Sequence, residues 1–356
     1  MSSTGYAFKI VIHFNLSINI GLALLIKIQK QRTLKEVFKS TFHDKISFKE
    51  FINLNLDEEY TISTFKKKKI YSPSDKLKKI HRFINSSILE HADFNREVVY
   101  SYLKGSSVRD AVELHSQSQY FFKTDIHNFF GIITTRNIKK SLEEQFSNVP
   151  ISDIDMYKEF LFKLMVIDDV LPVGFSTSPL LSNICLFEFD NHLQAYCSSN
   201  NFKYTRYSDD IVISSNKSFD IEEMSENIQA LLSKHVNEGA KLNKSKTKVH
   251  SKGERINILG YNILPNDEIT ISSKDKKETE ILLHFYLNDL DKFDDYVTKN
   301  IINRFRNSDK KSIRDIGLSS LSGRIIGINT MDKKYLIKLR KKYGNTLIDM
   351  LLRKTV

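Results

Sequence analysis

The stretch Lys203-Tyr-Thr-Arg-Tyr-Ser-Asp-Asp-Ile-Val-Ile-Ser-Ser215 decides how the rest of the chain is read. Aromatic and β-branched residues on either side of Ser208–Asp210 favour extended backbone, and the polar triplet between them favours a turn. The stretch therefore reads as two short strands around a tight hairpin, with Asp209 and Asp210 at its tip. Adjacent carboxylates repel each other and gain little structurally unless a divalent cation sits between them and a third acid. A solvated Asp-Asp turn is the plainer alternative, and a Tyr-x-Asp-Asp tetrad alone does not decide between the two. The flanking Tyr204–Tyr207 and Ile211–Ile213 are apolar enough to be buried, which would put the acids on a rigid platform.

Tyr120-Phe-Phe-Lys-Thr-Asp-Ile126 reads as a second apolar strand, closing on Asp125. Taken alone, Asp125 is a strand-end acid capping the following turn. If its strand pairs beside the hairpin, three carboxylates converge. Three oxygen ligands plus waters suit Mg²⁺, and two such ions about 3.5–4 Å apart would clamp an in-line phosphoryl transfer. Between the two strands, Ser178 reads as an N-cap and Pro179 as the first residue of a buried helix carrying Leu180, Leu181, Ile184, Phe187 and Leu193. Ser218–His235 reads as a helix with Ile221, Met224, Ile228, Leu231 and Leu232 on one face. From Ser273 onward the chain reads as mostly helical.

The 356 residues are about twice a typical domain, with 40% hydrophobic and 27% charged residues, as in an ordinary globular enzyme. Low Gly and Pro exclude disorder and collagen, and two cysteines exclude a disulfide scaffold. Cys185 and Cys197 lack metal-ligand spacing and read as reduced thiols. The formal charge is +11, which points to a polyanionic partner, nucleic acid before an anionic membrane surface. Residues 301–356 hold fourteen Lys/Arg against four acids, a net +10, leaving +1 for the first 300. Tyr6–Ile28 is apolar but interrupted by Lys9, His13, Asn15, Ser17 and Asn19. It reads as a helix packed on the body, or as a generous start, rather than a membrane span. The expectation is a cytoplasmic protein without a membrane partner.

Taken in order, these segments resemble the reverse transcriptases of bacteria, of the retron and defence-associated (abortive-infection, unknown-group) lineage, from about Tyr60 to Tyr343. Lys123-Thr-Asp-Ile-His-Asn-Phe-Phe130 is similar to the first palm motif, and Leu171-Pro-Val-Gly-Phe-Ser-Thr-Ser-Pro-Leu-Leu-Ser-Asn183 to the second. Tyr207-Ser-Asp-Asp210 matches the third. Leu242-Asn-Lys-Ser-Lys-Thr247 resembles the next block, Ile258-Leu-Gly-Tyr261 the primer-grip strand pair, and Lys104–His115 the fingers block that closes on a histidine.

The resemblance implies an α+β right-hand polymerase: an N-terminal extension at 1–30, fingers at 31–118, a palm with an antiparallel sheet at 119–265, and a helical basic thumb at 266–356. A fingers insertion is expected at about 132–165. Asp125, Asp209 and Asp210 would be catalytic and hold two Mg²⁺ ions, with Mn²⁺ a substitute. Lys66, Lys68, Arg109, Ile126, Phe130, Gly174 and Lys246 would meet the nucleotide. Phe130 would be a steric gate under the sugar that favours deoxynucleotides; the other reading is a core aromatic beside Phe129. Gly174 would let the backbone approach the nascent base pair. Lys66–Lys69 would place Lys68 where relatives have an Arg gripping the triphosphate; the other reading is a solvated charge run. Lys246 would protonate the leaving pyrophosphate or be an exposed lysine.

Ser178, Pro179, Asn183, Tyr207, Leu259, Gly260, Lys333, Lys334, Lys338, Arg340, Lys341 and Lys342 would contact template and primer. The implied activity is RNA-directed DNA synthesis from dNTPs on a small structured noncoding RNA. The partners are that RNA, the DNA product, the RNA–DNA hybrid and a second defence or effector protein, in antiphage defence. Val173 replaces the family's usual Gln, and Ile258-Leu-Gly260 stands where retron enzymes have Val-Thr-Gly. The Ile-Leu-Gly tilts the expectation toward defence-associated or abortive-infection enzymes and leaves a retron enzyme making RNA-linked DNA as the alternative. A template-independent DNA polymerase and a non-catalytic RNA-binding scaffold are the remaining alternatives.

Overall fold

The computed structural model describes residues 31–65, 68–254, 256–302 and 312–353. The expectations for residues 1–30 and for Lys66 lie outside the described residues, as do Arg304, Arg306, Lys310, Lys311 and Lys354 of the basic tail. The chain divides into two compact units, each made of several segments.

The first unit takes in the chain up to Leu103, Ile126–Gln194 and Glu226–Leu242. Several of its helices start where side chains satisfy the orphan backbone N–H groups. Thr33 with Glu36 and Ser47 with Glu50 form capping boxes for Leu34–Phe42 and Phe48–Ile52, and Ser74 Oγ accepts from Leu77 N at the head of Asp75–Ser87. Leu34, Phe38 and Phe42 recur at helical spacing and are buried, as are Leu77, Ile80, Phe83 and Ile84. Phe38 stacks on Phe51 at 4.5 Å between ring centres. Each such buried side chain contributes about 1.5–3 kcal/mol. Strands β1 (Tyr60–Phe65) and β2 (Lys68–Pro73) form an antiparallel hairpin in the register Phe65 to Lys68 and Tyr60 to Pro73. Tyr71 of β2 packs with Leu77, Ile167 and Phe175.

The second unit comprises Lys104–Asp125, Ala195–Ser225 and Asn243–Val356. Strands β3 (Tyr120–Asp125), β4 (Lys203–Tyr207), β5 (Asp210–Ser215) and β6 (Lys248–Ser251) form an antiparallel sheet in the order β4-β5-β3-β6. The two central strands bury Phe121, Phe122, Ile211, Val212 and Ile213, so they are near-continuous apolar runs rather than alternating ones. Strands β7 (Ile256–Ile258), β8 (Tyr261–Ile263) and β9 (Ile269–Ile271) make a second antiparallel sheet. Val112, Phe121, Val212, Ile256, Ile258, Tyr261 and Ile263 form one core.

The helices Ser273–Asn288, Leu290–Asn300, Ile313–Met331, Lys333–Tyr343 and Asn345–Arg353 share another core, including Leu282, Phe293, Leu321, Ile325, Leu339 and Leu351. Helices beside antiparallel sheets give the α+β architecture expected. The block Lys104–His115, expected in the fingers, groups with this sheet instead. His115 is buried and hydrogen-bonds Ser214 Oγ at 2.7 Å and Thr205 Oγ1 at 2.8 Å, which ties the block to β5 and β4.

Two helices begin differently from the sequence expectation. Ser178 is the first helical residue rather than the cap, because its hydroxyl donates to the Pro172 carbonyl at 2.8 Å. The cap position falls to Thr177, and Pro179 moves into the first turn. The expected single helix ends at Cys185 and a second runs Phe187–Ser199. The helix expected from Ser218 starts at Ile221, where Asp220 Oδ1 accepts from Glu222 N and Glu223 N. Among the described residues no helix is long and apolar enough to cross a membrane.

Candidate active site

The hairpin β4–β5 closes between Tyr207 and Asp210, leaving Ser208 and Asp209 as a two-residue turn. Ser208 has φ +59, an uncommon conformation for a residue with a Cβ. Arg206 braces it: this wholly buried side chain donates from Nη1 to the Ser208 carbonyl at 2.9 Å. The polar face of a short hairpin is thereby anchored to a buried guanidinium.

Strand β3 pairs with β5 so that Asp125 lies opposite Asp210, with Asp209 one residue before it. Asp125 is 3% exposed. The block Leu242–Thr247 is clamped to the same end of β3: Asn243 N donates to the Asp125 carbonyl at 2.9 Å, and Thr247 Oγ1 pairs with Thr124 Oγ1 at 2.8 Å. A tight turn, with Lys246 N donating to the Asn243 carbonyl at 3.0 Å, then aims Lys246 at the acid. Its ammonium donates to Asp125 Oδ2, while Asp125 Oδ1 is buried with no hydrogen-bond partner.

The electrostatics follow from this crowding. Burial raises the Asp210 carboxyl above the usual carboxylate range, and the Asp209 and Asp125 charges push the same way, against Lys246 and Lys123. The hydrogen bond to Asp125 raises the Lys246 ammonium. Burial lowers Lys123, whose ammonium donates to the Asn257 carbonyl of β7 and interacts favourably with Asp210. Sequence reasoning missed Lys123; a lysine two residues before Asp125 on the same strand face is the signal that pointed to it.

Among the described residues no group of three or more His, Cys, Asp or Glu side chains is arranged as a ready-made metal cage. The strand register puts Asp125 opposite Asp210, and Lys246 donates to Asp125. The donor chemistry still fits a hard divalent ion. The acids are adjacent, burial and the Asp209 and Asp125 charges raise Asp210, and Asp125 keeps one buried oxygen unpartnered.

The other expected residues fall as follows. Lys68 is exposed at the start of β2. Phe130 is half-buried in the short turn Phe129–Ile132, its ring 5.3 Å from that of Phe129. Ile126 presents no side chain to a ligand: it is 1% exposed, and its backbone bridges to Leu242. Gly174 has φ +113, and a Cβ there would stand 2.2 Å from the Tyr71 carbonyl. Its missing side chain thus serves the approach of β2, where Tyr71 N donates to the Val173 carbonyl at 2.8 Å. The sequence also left Asp168 unmarked; it accepts from Tyr71 Oη at 3.2 Å and pairs with Lys69 at 3.4 Å, both on β2.

Arg109 lies in the second unit. Its guanidinium donates to the Met331 carbonyl at 3.0 Å and faces Glu113, so it belongs to the packing of the second unit. Ser178 and Asn183 are buried as well. Asn183 Nδ2 donates to the Ser101 carbonyl at 2.8 Å, so neither side chain is presented to a template. Pro179 and Tyr207 are half-buried. Leu259 and Gly260 form the two-residue turn of the β7–β8 hairpin, with φ +51 and +89.

On Lys333–Tyr343 the six expected cations divide. Lys334 pairs with Glu268, Arg340 with Asp349 at 2.7 Å and Lys342 with Glu280, whereas Lys333, Lys338 and Lys341 are exposed and carry no ion pair among the described residues. Acids upstream of residue 301 therefore neutralise part of the tail that the charge count had left at +10.

A family model described as reverse transcriptase (RNA-dependent DNA polymerase) matches residues 64–263. The chain is 24% identical to the retron Ec83 reverse transcriptase of Escherichia coli, over 78% of this chain and 83% of that one. It is 27% identical to the retron Ec73 reverse transcriptase of the same organism, over 77% and 82%. A telomerase from Candida albicans, solved with a fragment of telomeric RNA, aligns at a TM-score of 0.42 and 15% identity. That alignment covers 89% of this chain but 63% of the telomerase chain, a likeness too low to bear on the fold. With Asp125 and the Tyr-Ser-Asp-Asp turn both inside a matched stretch longer than half the chain, this protein belongs to the reverse transcriptase (RNA-dependent DNA polymerase) family.

Proposed function

We propose that this RNA-directed DNA polymerase is a retron-type enzyme that copies a small structured noncoding RNA into DNA, in defence against phage. The observation that carries the catalytic reading is the register of Asp125 against Asp210, beside Asp209, at the end of a buried sheet. The retron assignment rests on the similarity to the Ec83 and Ec73 enzymes. It takes precedence over the tilt toward defence-associated or abortive-infection enzymes that Ile258-Leu259-Gly260 suggested.

Asp125, Asp209 and Asp210 are the residues that would hold two divalent ions, Mg²⁺ with Mn²⁺ as a substitute. When bound, such ions lower the pKa of a primer 3′-hydroxyl and neutralise the leaving pyrophosphate. The chain's own part is positional. Arg206 fixes the turn that carries Asp209, the Asn243 and Thr247 contacts fix the end of β3, and Lys123 and Lys246 offset the carboxylate charge. Phe130 would exclude a 2′-hydroxyl, Lys68 would neutralise phosphate without the planar fork of an arginine, and Lys333, Lys338 and Lys341 would meet duplex phosphates.

Sequencing the nucleic acid that co-purifies with the protein, together with the DNA it makes from dNTPs, tests the reading. One structured RNA and complementary DNA are expected. Products unrelated to the bound RNA would instead identify a template-independent polymerase. An unchanged biological activity in the Asp209→Asn, Asp210→Asn double variant would identify a scaffold.

A further inference from the structure

We propose that Lys246 is the resident counter-cation of Asp125: without metal its ammonium holds the Asp125 carboxylate, and a divalent ion must displace it to bind. The proposal rests on the reading that Asp125, Asp209 and Asp210 hold that ion.

Three observations carry it. The Asp125 side chain is 4% exposed, and an ionised carboxylate buried to that degree requires a compensating charge. Lys246 supplies one from an anchored turn, but its own side chain is 60% exposed, so the ammonium can swing into solvent while the backbone clamp at Asn243 and Thr247 stays in place. The contact satisfies only one carboxylate oxygen; Asp125 Oδ1 remains buried and unpartnered, which leaves the acid under-satisfied by the lysine. Lys123 is no substitute, because its ammonium is committed to the Asn257 carbonyl within the sheet.

A competitor inside the site lowers apparent metal affinity by the fraction of time it is engaged. A Lys246 engaged two-thirds of the time or more weakens binding about threefold or more. It also spares the metal-free protein the repulsion among Asp125, Asp209 and Asp210 that Asp210 registers. Lys246 is in this sense a positioning residue, acting through Asp125.

The test titrates the full-length protein with Mn²⁺ alone, reading free ion by electron paramagnetic resonance. Lys246→Met is expected to bind Mn²⁺ about threefold or more tightly than wild type. Lys246→Arg, which keeps a cation, should stay at the wild-type value. Lys244→Met, which removes an exposed cation from the same block, controls for loss of net charge and should not reproduce the gain. Thermal unfolding in chelator should show Lys246→Met melting below wild type, with the gap closing at saturating Mn²⁺. Affinity of Lys246→Met equal to or weaker than wild type overturns the proposal, as does an equal gain in Lys244→Met. If wild type binds no Mn²⁺ that is lost in the Asp209→Asn, Asp210→Asn variant, the metal-site reading falls first and takes the proposal with it.

Discussion

Asp125 concentrates the demands of the site in one side chain: buried at the end of a strand, facing Asp210, half-satisfied by Lys246. Asp125→Asn keeps the shape but removes the charge, so DNA synthesis should fall by at least about 100-fold while the melting temperature holds or rises in chelator. Primer extension and calorimetry on the same preparation check both halves. Phe130→Ala should raise the incorporation of ribonucleotides relative to deoxynucleotides by about tenfold or more, read from single-nucleotide extension with each substrate. The three acids were legible because each sits where an apolar run breaks, a pattern local in sequence. The Lys246 contact was not, since it depends on how Leu242–Thr247 docks onto β3. Ser178 and Asn183 misled for a related reason. A polar residue in a motif looks ligand-facing until its partner is known, and theirs are the carbonyls of Pro172 and Ser101.

Elements show the same division between local and distant causes. The hairpin β4–β5 was written in its turn residues and flanking β-branched runs, and β7–β8 in the likeness of Ile258–Tyr261 to a strand pair. The attachment of Lys104–His115 to the sheet was not, because it is made by His115 reaching Ser214 and Thr205 about 90–100 residues away. Burial pushes the His115 imidazole down to about 3 from its ordinary 6.5, and His81 down to about 4. Between those values and 6.5 the unfolded chain takes up protons that the folded chain refuses, so stability is complete above pH 6.5 and is lost as pH falls toward 3. His115→Gln should flatten that decline in urea or thermal unfolding measured from pH 7 to pH 4. Gly174→Ala should lower stability by more than about 1 kcal/mol and depress the melting temperature. The new Cβ meets the Tyr71 carbonyl, and φ +113 strains any other residue.

At the scale of the whole molecule, the excess charge resolves into two populations. Arg314, Arg324, Lys334, Arg340 and Lys342 are paired with Asp294, Glu278, Glu268, Asp349 and Glu280, and hold helices and the small sheet together. Lys333, Lys338 and Lys341 are exposed and have no such partner among the described residues. Binding of an RNA–DNA duplex should therefore lose about one unit of salt slope for each of Lys333→Ala, Lys338→Ala and Lys341→Ala. Lys334→Ala and Lys342→Ala should change stability more than slope; affinity measured across a salt series separates the two groups. Net charge predicted a polyanionic partner from composition alone, but which lysines remain available depends on acids brought near by folding.

The central claim is RNA-templated DNA synthesis by the Asp125, Asp209 and Asp210 site. Its most direct test is extension of a labelled primer on a defined RNA template, with dNTPs and Mg²⁺, by wild type and by the Asp209→Asn, Asp210→Asn variant. Wild type should make full-length complementary DNA and the variant none at equal folded concentration. DNA made equally by both proteins, or by neither across templates and primers, would contradict it.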